Sequence, residues 1–131
     1  MCGITFYLNS YVNNHENVLG HRGPDDSSKF QNKHITMCFE RLKINDLSIF
    51  GNQPFEIANC VLICNGEIFN HEYLNNKYNF KTVSKSDCEI IIHMYIYLKN
   101  KFNNIYEIIH NLCNLLDGEF AFCLYDVSQD F

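Results

Sequence analysis

Cysteine at position 2, with glycine after it, places a thiol one residue from the start of the chain (Met1-Cys2-Gly3-Ile4). Small residues at positions 2 and 3 suit removal of Met1 by an aminopeptidase, which would leave a thiol and a free α-amine on one residue. Such an amine titrates at about 7.7–8.0, well below a lysine, so it can be neutral at working pH and serve as a base. A nucleophile activated by its own N-terminal amine is one route to covalent chemistry at a carbonyl. The bland reading of Cys2, a buried strand cysteine, stays open on this residue alone. Arg41, Asn65 and Asp87 also carry groups that chemistry can use. Each has an ordinary reading too. Asn65-Gly66 is the favoured pair for a tight hairpin turn, Arg41 could be a surface charge at a strand end, and Asp87 suits a helix N-terminus.

The elements that must position these groups belong to one domain with a respectable core, the expectation for 131 residues. Apolar residues make up 47% and aromatics 15%, which excludes a disordered chain. Ten basic against 15 acidic residues give a net charge of −5. With no Lys/Arg cluster, this argues against nucleic acid or an anionic membrane as the main partner. The seven cysteines (Cys2, Cys38, Cys60, Cys64, Cys88, Cys113 and Cys123) are odd in number, and no secretory signal precedes them. Free thiols in a reducing, cytoplasmic compartment are expected, with Cys64, Cys88, Cys113 and Cys123 in the core. No CxxC or HExxH spacing occurs, so no metal site is predicted. The apolar stretches are too short to span a bilayer, and a soluble protein is expected.

Along the chain, Gly3–Leu8 reads as an opening strand, and residues 9–17 as a loop or short helix. His21-Arg22-Gly23-Pro24-Asp25-Asp26 reads as a loop, because Pro24 biases Gly23 away from helix. Ile35–Phe39 is predicted as a second strand. Asn59–Cys64 is predicted as a buried one ending at Asn65-Gly66. Asn70 is placed to cap a short helix through Asn76. Ser86-Asp87-Cys88-Glu89 has the form of a capping box opening an apolar helix to about Leu98. Helical spacing from Ile105 to Leu116 stops at Asp117-Gly118. The run 119–126 is apolar on both faces and predicts a strand covered on both sides. Together these predict a mixed α+β fold.

Taken in order, Met1-Cys2-Gly3-Ile4, His21-Arg22-Gly23-Pro24-Asp25, Glu40-Arg41-Leu42-Lys43-Ile44, Asn65-Gly66-Glu67-Ile68-Phe69-Asn70-His71, Ser86-Asp87-Cys88-Glu89 and Leu116-Asp117-Gly118-Glu119-Phe120-Ala121-Phe122 resemble the class II glutamine amidotransferase domain. The likeness is to that of glutamine-hydrolysing asparagine synthetases. Sister amidotransferases that make glucosamine phosphate or phosphoribosylamine lack Pro-Asp after the glycine of the Arg22 motif. The resemblance implies layered sheets flanked by helices, in the αββα arrangement of N-terminal nucleophile hydrolases. It implies hydrolysis of glutamine to glutamate and ammonia, with Cys2 as nucleophile and the Asn65 side chain and Gly66 N–H as oxyanion donors. It places Arg41 on the substrate α-carboxylate and Glu67 and Asp87 on its ammonium. Leu42, Ile44 and Asn45 would line the pocket, and Arg22 would orient the loop over the substrate from behind. His21, His71, His93 and His110 are given structural or surface places.

The chain also departs from the family pattern. The segment before His21 is short, Phe39 stands where a histidine is usual, and the family's later strands and synthetase domain are not present in these 131 residues. The expectation is therefore a truncated, C-terminally incomplete amidotransferase domain over residues 1–131, with no cofactor of its own. ATP and Mg would belong to the absent synthetase domain, and a separate synthetase partner would accept the ammonia. The alternative expectation is an inert homologue that acts as a binding or pairing module.

Overall fold

In the computed structural model of the chain, residues 2–9 and 18–129 are described. The expected loop or helix at 9–17 falls, from residue 10 on, outside the described residues, as does Met1. The order is β1 (Gly3–Leu8), β2 (Asp26–Gln31), β3 (Ile35–Arg41), a 3-10 turn (Ile49–Gly51), β4 (Phe55–Ile57), β5 (Cys60–Ile68), α1 (His71–Tyr78), α2 (Glu89–Lys99), α3 (Ile105–Leu115) and β6 (Gly118–Asp126). Two antiparallel three-stranded sheets result, ordered β1-β3-β2 and β4-β5-β6. The fold is α+β, as expected from the sequence.

Alternation along the strands explains the layering. Side chains two apart share a face, and Ile35, Met37 and Phe39 of β3 meet Val61 and Ile63 of β5 and Tyr125 of β6 between the sheets. The opposite face of β5, with Cys60, Leu62 and Cys64, packs with Ile91, Met94, Leu98 and Leu112 of the helices. Cys60 to Cys64 is thus buried from both sides, which is why it reads as an unbroken apolar run. The described layers are sheet, sheet and helix, with the helices on the second sheet. Lys99 and the Tyr95 hydroxyl, both on α2, donate to the buried Asp126 carboxylate at the end of β6.

Several local expectations are corrected. The Asn65-Gly66 pair is not a turn: β5 continues through it, with Asn65 opposite Ala121 and Gly66 opposite Phe120. No described glycine has a positive φ. A Cβ at Gly66 would collide with the Glu119 carbonyl and lie 2.6 Å from Phe120, so close strand approach is what requires glycine. The true hairpin lies between β4 and β5, where Ala58 and Asn59 have φ of 47° and 63°, the left-handed pair that a two-residue hairpin needs. Asn59 therefore belongs to the turn and not to the strand.

The capping box does not close as predicted. The Glu89 carboxylate accepts from the N–H groups of Val83 (2.9 Å) and Ser84 (2.7 Å), further back than Ser86. Residues 86–88 already form a turn leading into α2, so the acid is drawn to the loop before it. Asn70 precedes α1 but does not cap it. Its side chain donates to the Leu115 carbonyl and accepts from the Asp117 N–H instead. Strand β2 went unpredicted because Asp26-Ser27-Ser28-Lys29 is polar, and only its pairing with β3 makes it extended.

Strand β6 is covered on its helix side. Its other face is closed only toward Tyr125, since Ala121 is exposed at the sheet edge. Cys113 is likewise exposed, on the outer side of α3. Among the described residues no helix is long and apolar enough to cross a membrane.

Ile63 has no exposed surface and sits between the sheets two residues before Asn65. Ile63→Ala is expected to cost about 2–5 kcal/mol, as a buried truncation with partial collapse. Urea unfolding followed by circular dichroism measures it.

Candidate active site

The N-terminal end of β1, the chain leaving β3, the far half of β5 and the turn before α2 converge on one cavity of about 270 Å³. Cys2, Arg41, Leu42, Ile44, Asn45, Asn65, Gly66, Glu67 and Asp87 all line it, together with Phe39, Asp46, Gly51, Gln53, Cys64, Cys88 and Glu119 among others. Nine residues singled out in the sequence, spread over 86 positions, are thereby brought to one place. Arg22 is not in the lining; its Nε donates to the Cys2 carbonyl at 3.4 Å, from behind.

Cys2 precedes β1 and is partly buried beside the inter-sheet core. Its Sγ accepts from the Leu42 N–H at 3.4 Å and lies 3.7 Å from the Leu42 carbonyl. The backbone just after β3 therefore fixes the thiol. Asn65 shares the sheet face of Ile63, the face turned toward the first sheet. Its Oδ1 is buried with no hydrogen-bond partner among the described residues. A buried amide oxygen without a partner costs stability, and a hydrogen-bond donor entering the cavity would satisfy it.

Opposite charges occupy different walls. Arg41, 4% exposed, directs Nη1 to the Ser48 carbonyl at 2.7 Å and to Asn52, and Nη2 to the Asp46 carbonyl. The 46–52 loop thus wraps its guanidinium. Gly51 permits this, since a Cβ there would collide with Nη2 and lie 2.8 Å from the Asp46 Cβ. Asp87 does not serve as a helix cap. Its carboxylate accepts from the Ile68 N–H at 2.6 Å and from Asn45 Nδ2 at 2.8 Å. Glu67 stands directly across the strand pair from Glu119, and both line the cavity. Like charges set opposite each other destabilise a sheet, and they leave this wall able to receive a cation.

Sequence reasoning missed four contributors. Asp46, whose carboxylate accepts from the Ser48 N–H and hydroxyl at 2.8 and 2.6 Å, was legible as an Asx turn of the form Asp-x-Ser. Gln53, which accepts from the Cys64 N–H at 2.6 Å, left no local signal. Glu119 enters only through strand register. Cys88 is held by its neighbours: the Cys64 thiol hydrogen-bonded to it, then burial, push its own thiol far up, so it stays protonated. Among the described residues no group of three or more His, Cys, Asp or Glu side chains is placed to hold a metal ion.

The sequence model of the glutamine amidotransferase domain family matches residues 1–131. The chain belongs to that family. Asparagine synthetase B (glutamine-hydrolyzing) of Escherichia coli is 35% identical over 119 residues, 86% of this chain and 19% of that protein. Asparagine synthetase 1 (glutamine-hydrolyzing) of Arabidopsis thaliana is 38% identical over 115 residues, 86% of this chain and 18% of its own. The amidase chyE of Penicillium rubens is 38% identical over 116 residues, again 86% of this chain but 16% of the relative. The amidotransferase-family chain thus spans less than a fifth of the length of these relatives.

Two carboxylates near the cavity carry a pH signature. The Ser48 hydroxyl, the Lys85 N–H and the Ser48 N–H bring Asp46 from an ordinary 3.8 down to about 2. For Glu89, burial opposes ionisation, but hydrogen bonds from His93, Ser84 and Val83 outweigh it and bring 4.5 down to about 2. Both folded values lie below the unfolded ones. Their stabilisation is therefore complete above pH 4.5 and is lost as pH falls from there toward 2. Urea midpoints measured across that window should drop with acid, and the drop should be smaller in Glu89→Gln.

Proposed function

We propose that the cavity takes glutamine and that Cys2, once it is the N-terminal residue, hydrolyses the side-chain amide to glutamate and ammonia. The observation that carries this reading is the convergence of the nine sequence-derived residues on one cavity of about 270 Å³, a size suited to one amino acid. The Cys2 α-amine takes the thiol proton as Sγ attacks the amide carbon. Collapse of the tetrahedral adduct breaks the C–N bond, the nitrogen leaves with that proton as ammonia, and a thioester remains. Water then cleaves the thioester and returns the thiol.

The oxyanion of each tetrahedral adduct needs donors already in place. Asn65 and Gly66 line the cavity, and the Asn65 Nδ2 and the Gly66 N–H are assigned that task. Arg41 receives the α-carboxylate, and its planar cation suits that group better than a lysine would. Asp87 and Glu67 receive the α-ammonium, while Leu42, Ile44 and Asn45 flank the aliphatic stem. Arg22 acts through the Cys2 backbone that it holds. The ammonia would pass to a separate synthetase partner that activates an acceptor with ATP and Mg, aspartate being the acceptor suggested by the names of the asparagine synthetase relatives.

Glutamate release from glutamine, read by mass spectrometry, tests the reading. Cys2→Ala should abolish release. Asn65→Ala should lower kcat by about 10²–10³-fold, the cost of one oxyanion donor. Release undiminished in Cys2→Ala would refute the assignment. Binding of glutamine without turnover, seen as a thermal shift alone, would favour the non-catalytic module.

A further inference from the structure

We propose that Asp46 is a positioning residue that sets the spacing between the two charged walls of the cavity, and so the affinity for the α-amino-acid head of the substrate. The inference rests on the glutamine reading above and concerns a side chain to which that reading gives no role.

Asp46 is 6% exposed and joins three parts of the site at once. Its backbone carbonyl accepts from Arg41 Nη2, on the carboxylate wall. Its Oδ1 accepts from the Ser48 N–H and hydroxyl, closing the turn whose Ser48 carbonyl in turn holds Arg41 Nη1. Its Oδ2 accepts from the Lys85 N–H at 2.8 Å, two residues before Asp87 on the ammonium wall. The neighbouring Asn45 makes a parallel strap directly to Asp87.

Polar bonds hold the loop, among them that strap and the bond from Asn52 Nδ2 to the Asp26 carboxylate at 2.8 Å. Ile44, Leu47, Ile49 and Phe50 are all more than half exposed, so apolar burial contributes little to its placement. A segment with few buried apolar contacts opens at low free energy unless polar pins hold it. Asp46 is ionised at any working pH, because its carboxyl titrates near 2. Its bonds are charge-assisted and correspondingly strong. In Asp46→Asn one carboxylate oxygen becomes an NH₂ donor. Either the Lys85 N–H or the Ser48 pair then faces a donor and loses its acceptor. The two walls separate, while the backbone at Leu42 that holds the Cys2 sulfur is untouched.

The test uses the full chain and two electrophiles that label Cys2. One is a diazoketone analogue of glutamine carrying the α-amino-acid head; the other is iodoacetamide, which has none. The expected result for Asp46→Asn is a rise of about tenfold or more in the half-saturating concentration of the analogue, the effect of losing one charge-assisted hydrogen bond. Its maximal labelling rate should stay within about twofold, and so should the iodoacetamide rate. Should Asp46→Asn fail to fold by circular dichroism, Ser48→Ala, which removes the hydroxyl's bond to Asp46 together with its longer bond from the Phe50 N–H at 3.2 Å, carries the test with a smaller rise in the same parameter. A half-saturating concentration unchanged in the variant, or a parallel fall in iodoacetamide labelling, would overturn the inference and leave the glutamine reading standing. Failure of the unmutated chain to show saturable labelling by the analogue would remove both.

Discussion

The structure depends on burial of one strand from both sides. β5 packs one face on the first sheet and the other on α2 and α3. A shift by one residue would turn Asn65 from the inter-sheet side toward the helices and put a side chain where only Gly66 fits against Glu119 and Phe120, so the register is fixed. Everything beyond its apolar stretch is therefore delivered to a defined place. Asn65, Gly66 and Glu67 emerge at the rim of the cavity because Val61 to Cys64 are locked beneath them. The same confinement sets the pairing with β6, and with it the approach of Glu119 to Glu67.

Around that strand, polar groups do what apolar packing does elsewhere. The 42–52 segment exposes most of its large side chains, yet it carries the residues that enclose Arg41. Hydrogen bonds to Ser48, Asn52, Asp46 and Lys85 hold it, and Gly51 leaves room for the guanidinium. The thiol sits where this segment begins, against the inter-sheet core and under the Leu42 N–H.

Membership of the glutamine amidotransferase family places the chain beside proteins named for asparagine synthesis and beside one named as an amidase. The shared segment is the one that builds the cavity.

Residue types and their order determined a good deal. The apolar runs at 3–8, 35–39 and 60–64, and the helical spacing at 105–116, all correspond to observed elements. The ordered motifs named the family and nominated the residues that line the cavity. What only the tertiary structure decided was anything resting on contacts between distant segments. Asn65-Gly66 has a turn's local chemistry, but pairing with β6 keeps it extended. Ser86 and Glu89 have a capping box's spacing, but a nearer loop claims the acid. β2 is polar and becomes a strand only beside β3. Glu119 and Asp46 gain their places through register and through a bond across 39 residues. Local sequence carries backbone preference and side-chain periodicity, both of which act over a few residues. Which partner satisfies a given donor or charge is set by the packing of the sheets and helices, and that is written in no single stretch of the chain.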